Sequence, residues 1–106
     1  GSNEKDMTIA ANNLIKTQGG MVVVNEGKIL SSLPLELAGI ISRDNFENVS
    51  ENFANLNATL TDAGCKFEKP HLIPLFLPFL ALPDIRITSN GLVDIKDRAI
   101  LKTIIS

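Results

Sequence analysis

Side chains able to do chemistry are few in this sequence, and they are scattered. One histidine, His71, stands between Pro70 and Leu72, and one cysteine, Cys65, follows Gly64. Histidine is a common general base and metal ligand near neutral pH, but it acts only where partners converge on it. A zinc site needs three or four ligands. With one imidazole and one thiol, carboxylates would have to complete the set, and no spacing gathers them. Cys65 falls just past a helix end, where the dipole works against an anionic nucleophile, so a small, partly buried hydrophobe is the plainer reading. Asp84 and Asp94 flank the last hairpin, where carboxylates are usually solvated. Pairing His71 with either would be the catalytic alternative. Gly19-Gly20 follows a helix and precedes a strand, the reverse of the strand–glycine–helix order of a phosphate loop. The expectation is therefore no catalytic residue, no cofactor-binding residue and no metal ligand in this chain.

The elements that would position these groups are legible from periodicity. Met7, Ala10, Ala11, Leu14 and Ile15 fall on one helical face. Asn3 is placed to cap the first turn, and Gly19-Gly20 to end the helix. Met21 to Val24 reads as a strand buried on both faces, Asn25-Glu26-Gly27 as a turn with Gly27 at positive φ, and Lys28 to Leu33 as the returning strand, limited by Pro34. Leu35 to Ile41 has no clear period and reads as strand extension or a short turn of helix. Asp44 with Glu47 suggests a cap for a second helix, with Phe46, Val49, Phe53, Leu56 and Leu60 as its apolar stripe. Asn48, Glu51, Asn52 and Asn55 are its polar side, and Gly64 is its stop. Leu72 to Leu82, broken by Pro74 and Pro78, reads as core-forming extended chain. Ile85-Arg86-Ile87-Thr88 alternates like a half-buried strand, Ser89-Asn90-Gly91 is a turn, and Leu92 to Ile95 returns. Lys96 to Ile105 is ambiguous between strand and helix. The fold class expected is α+β, a single mostly antiparallel sheet with two main helices packed on one face.

Composition narrows the function classes. Hydrophobic residues make up 44% and charged residues 21% of the 106 residues, too apolar for disorder and ordinary for a globular domain. The net charge of −2, with no Trp or Tyr and no basic patch, disfavours nucleic-acid binding. The longest apolar run is about half the roughly 20 residues of a membrane helix, so no membrane span is expected. A single cysteine excludes an internal disulfide and suggests a reducing, cytoplasmic setting. Gly1-Ser2 reads as an expression scar, and residues 3–106 as one domain. These features favour a packing or interaction domain over an independent enzyme.

Specific strings add to this. Asn3-Glu4-Lys5-Asp6-Met7 leads into the first helix. Gly19 to Val24 is followed by Asn25-Glu26-Gly27-Lys28, and then by the block Leu33 to Ser42. Phe79-Leu80-Ala81-Leu82-Pro83 and Thr88 to Ile95 close the series. In this order they resemble the C-terminal domain of the adenine deaminases, in the amidohydrolase superfamily, over nearly the whole chain. Two stretches depart from the family pattern: Pro83 runs almost directly into Asp84-Ile85, and Pro70 to Pro78 is unusually proline-rich. The resemblance implies a parent enzyme that hydrolyses adenine to hypoxanthine and ammonia in purine salvage. It implies divalent metal (manganese, iron or zinc) held in a (β/α)₈ barrel that is the partner domain of the same chain. None of the family's metal ligands maps onto this sequence, so the fragment itself is expected to be inactive, with no cofactor of its own. Homo-oligomerisation stays open, and the alternative is a stand-alone interaction or ligand-sensing module.

Overall fold

The computed structural model describes residues 1–102. The chain divides into two compact units, Gly1–His71 and Leu72–Ser106.

The first unit is built on a hairpin and two helices. Helix α1 spans Glu4–Thr17. Asn3 caps it as expected, its side-chain oxygen accepting the Asp6 N–H. The helix does not end on a left-handed glycine. Gln18 takes that conformation (φ 62), its N–H reaching Ile15 O, while the Gly19 N–H reaches back to Leu14 O. This is a Schellman end with a non-glycine residue at the position where glycine is usual.

The inward side of α1 is also offset from the hydropathy reading. Asp6, Ile9, Ala10, Asn13, Leu14 and Thr17 are half-buried, while Met7, Ala11 and Ile15 stay exposed. Polar atoms cause the shift. Asp6 bonds the hairpin turn, Asn13 accepts from the Ser32 hydroxyl, and the Thr17 hydroxyl donates to Asn13 O and Gly19 O. Those contacts outweigh the last few ångströms of apolar burial.

Strand β1 (Gly20–Asn25) pairs antiparallel with β2 (Lys28–Pro34), with a bulge at Val23/Val24. Gly27 has the expected positive φ. β1 is half-buried rather than enclosed on both faces. Pro34, the last paired residue, cannot donate to a further ladder. Gly19 and Gly20 are required here for space. A Cβ on Gly19 would lie 2.6 Å from the Gly39 backbone, and one on Gly20 would strike Leu33 O. Leu35 to Ile41 is neither strand extension nor helix. It is a tight turn in which Leu37 and Ile41 exchange backbone hydrogen bonds, with Ala38 and Gly39 at positive φ.

Helix α2 spans Phe46–Asp62. Its cap is Asn45, whose side chain accepts the Asn48 N–H, not Asp44, which instead accepts from Asn45 N–H and the Asn48 amide. The expected stripe holds from Val49 to Leu60, but Phe46 is 80% exposed, and Asn52, expected outside, is half-buried. Gly64 (φ 100) ends the helix, with Gly64 N–H to Thr61 O and Cys65 N–H to Leu60 O completing a Schellman motif. Both helices pack against the hairpin. Among the described residues, the buried apolar side chains are Leu33 (2%) and Leu56 (0%), from β2 and α2.

The second unit carries a three-stranded antiparallel sheet, β3 (Ile85–Thr88), β4 (Gly91–Asp94) and β5 (Ala99–Ile100), in the order β3-β4-β5. The turn at Ser89-Asn90 joins β3 to β4 in register, Thr88 opposite Gly91. β5 settles part of the ambiguous tail as strand, while residues 103–106 lie outside the described residues. The α+β class holds, but the antiparallel sheet expected to be single is two small sheets. Leu72 to Leu82 is not extended chain either. Leu72–Phe76 is a short helix, α3, followed by turns. Pro74 fits there because the first-turn N–H groups of a helix have no intrahelical acceptor. β3 alternates as a half-buried strand, with Arg86 and Thr88 half-buried while Ile85 and Ile87 face solvent. Arg86 turns in because its guanidinium donates to the backbone carbonyls of Phe79, Ile85 and Pro83.

Candidate functional site

His71, Asp84 and Asp94 each have a local structural partner. His71 closes the first unit. Its N–H donates to Asn57 Oδ1 (3.2 Å), and its ring Nδ1 lies 2.9 Å from the same oxygen. An oxygen that accepts the backbone N–H is an acceptor, so Nδ1 carries the proton, an assignment made from the network. The ring also packs against Phe53, centroids 4.6 Å apart and tilted by 58°. A histidine held this way pins the end of the unit to α2.

Cys65 is a free, half-buried thiol at the end of α2. Asp84 forms an exposed ion pair with Lys96. Asp94 accepts the N–H groups of Lys96 and Asp97, shaping the turn into β5. His71 belongs to the first unit, Asp84 and Asp94 to the second. Gly19-Gly20 serves the crossing of α1 into β1, as the reversed order of elements implied.

A concavity of about 340 Å³ is lined by Leu33, Glu36, Ser42, Arg43, Asp44 and Asn52 among others. Two of its polar side chains accept backbone N–H groups. Glu36 accepts the Arg43 N–H at 2.8 Å, and Ser42 Oγ accepts the Asp44 N–H. Hydrogen bonds from its own backbone N–H and from Arg43 hold the Glu36 carboxyl below the usual glutamate range.

Asp6 carries the other displaced titration, and composition alone did not single it out. The Asn3 side-chain amide, then the Gly27 N–H, lower its pKa. The available signal was Asn3 followed three residues later by Asp6, a capping-box spacing. Here the acidic member reaches beyond its own helix.

Among the described residues no three His, Cys, Asp or Glu side chains converge. No helix of the described residues is long and apolar enough to cross a membrane.

The sequence model described as "Adenine deaminase C-terminal domain" matches residues 1–99. This chain belongs to that family. An adenine deaminase of Cenarchaeum symbiosum is 48% identical over 104 residues, covering 98% of this chain and 17% of the relative. Adenine deaminases of Clostridium botulinum and Brucella abortus are 39% and 38% identical, covering 89% and 90% of this chain but 16% of each relative. The chain thus spans about a sixth of the length of the curated relatives it matches. As an adenine deaminase C-terminal domain, it is similar to a part of those proteins far smaller than the whole.

Proposed function

We propose that this chain is the non-catalytic C-terminal domain of an adenine deaminase. The whole protein hydrolyses adenine to hypoxanthine and ammonia, in purine salvage in the cytoplasm. The family match over residues 1–99 carries this reading. The chemistry belongs to the part of the protein outside this domain, a barrel that holds the divalent metal. The donor set supports that division. Among the described residues, one imidazole bound to Asn57, one thiol and scattered carboxylates gather no metal cage. The domain's own work is packing against that larger part.

Two measurements test this. The purified chain, stripped of metal and given adenine, releases no ammonia. Titrated with manganese, iron or zinc, it retains none stoichiometrically after dialysis. Ammonia release by the metal-free chain would overturn the placement of the chemistry elsewhere. Retention of one tightly bound ion per chain would overturn the division of roles.

A further inference from the structure

We infer that Asn90-Gly91, at the tip of the β3–β4 hairpin, is a self-modification site, where Asn90 converts to aspartate and isoaspartate with loss of ammonia. The reaction belongs to the hairpin and is independent of the function proposed above. The chain has ten asparagines, and Asn90 alone is followed by glycine. Gly91 puts no side chain in the way of its own backbone nitrogen, and that nitrogen is the nucleophile. Asn90 is exposed, and so is Ser89 beside it. The other asparagines are held differently. Six lie within α1 and α2, where the N–H of the next residue is tied into the helix ladder. Asn25 is followed by Glu26, whose N–H is bound to the Asp6 carboxylate. Asn3 and Asn45 commit their side-chain oxygens to helix caps.

The chemistry needs only water. The Gly91 nitrogen gives up its proton and attacks Asn90 Cγ. A five-membered succinimide forms, the bond from Cγ to the amide nitrogen breaks, and ammonia leaves with the proton. Water then opens the ring at either carbonyl, to aspartate or isoaspartate. Either product adds one negative charge to a chain of net charge −2. Isoaspartate also routes the main chain through the side-chain carbon, which lengthens it by one methylene, so Thr88 and Gly91 no longer oppose each other. Thr88 restrains the step. Its hydroxyl accepts the Asn90 N–H at 3.1 Å and donates to Gly91 O at 3.0 Å, so it spans the reacting pair. That brace has to open before the nitrogen can swing toward Cγ. Strands β3 and β4 are four residues each, and so small a sheet opens locally at little cost.

The test incubates the 106-residue chain in mildly alkaline buffer, folded and in urea. Peptide mass spectrometry follows every asparagine, and an isoaspartyl methyltransferase labels isoaspartate. In the folded chain Asn90 converts ahead of every other asparagine, and the label falls on its peptide. Thr88→Val, which keeps the branched shape and removes the hydroxyl, speeds the conversion about fivefold. Thr88→Ser, which keeps the hydroxyl, stays near the wild-type rate. Each chain releases no more than one ammonia, with or without adenine, which separates this reaction from turnover. An Asn90 that survives in the folded chain while it converts in urea would overturn the site. Equal rates in wild type and Thr88→Val, or a Thr88→Ser chain as fast as Thr88→Val, would overturn Thr88 as its restraint.

Discussion

Asp6, on the first turn of α1, accepts the backbone N–H of Gly27 at 2.8 Å across 21 residues of sequence. The Glu26 N–H reaches the same carboxylate at 3.1 Å. One side chain thus fastens a helix start to a hairpin turn, and it does so best as an anion.

That preference sets a pH dependence. The Asn3 and Gly27 hydrogen bonds depress the folded pKa of Asp6. The resulting stability is fully present above the ordinary aspartate range, about pH 4, and is lost as pH falls through the depressed folded value. Asp6→Ala lowers the urea midpoint at pH 7, and the gap from wild type narrows below about pH 4. A gap that stays constant down to pH 2 would assign the effect to packing instead.

At the other end of α1, Gln18 occupies a left-handed position where a side chain costs about 1 kcal/mol. Gln18→Gly removes that strain and also the Gln18 amide contact to Ile15 O. The strain is the larger of the two, because the lost bond is exposed and water replaces it. The expected result is a gain of about 0.5–1 kcal/mol in chemical denaturation. A loss would show that the amide contact dominates.

Gly20 is the opposite case. Its φ of 133 and the Leu33 carbonyl beside it leave no room for a Cβ. Gly20→Ala forces the two backbones apart and costs about 3 kcal/mol or more, read as a lower midpoint or loss of soluble folded chain. Gly64→Ala is the comparison. Its Cβ would meet nothing within 4 Å, so only the φ of 100 opposes it, and the loss is smaller.

His71 tests whether the lone imidazole is structural. Asn57→Ala removes the acceptor of both its hydrogen bonds and costs about 1–3 kcal/mol. In the wild type, nitrogen NMR of the ring shows the Nδ1–H tautomer. In the variant the ring relaxes toward the tautomer usual in water. An unchanged tautomer would mean that Asn57 does not orient it.

Much of this domain was legible in one dimension. The Asn3 cap, the turn at Gly27, the stop at Gly64 and the hairpin at Ser89-Asn90 are each decided within a few residues, and each stands as read. The inward face of α1 was misread because hydropathy records what a side chain prefers and not which polar atom needs it. Asp6 and Asn13 turn inward because the hairpin offers donors. Arg86 displaces Ile85 and Ile87 to the outside because three carbonyls in the Phe79–Ile85 stretch need its guanidinium.

The sequence by itself determined the shortage of catalytic groups, because counting one His and one Cys needs no coordinates. It also determined the local stops and caps, because backbone sterics act between neighbours. Only the tertiary structure decided which stripe of α1 is covered, that the antiparallel strands close into two small sheets, and that His71 is spoken for by Asn57. The first and last of those outcomes depend on groups 14 to 21 residues apart meeting in space. Burial and hydrogen bonding between such groups are properties of the packed chain, fixed only when the elements meet.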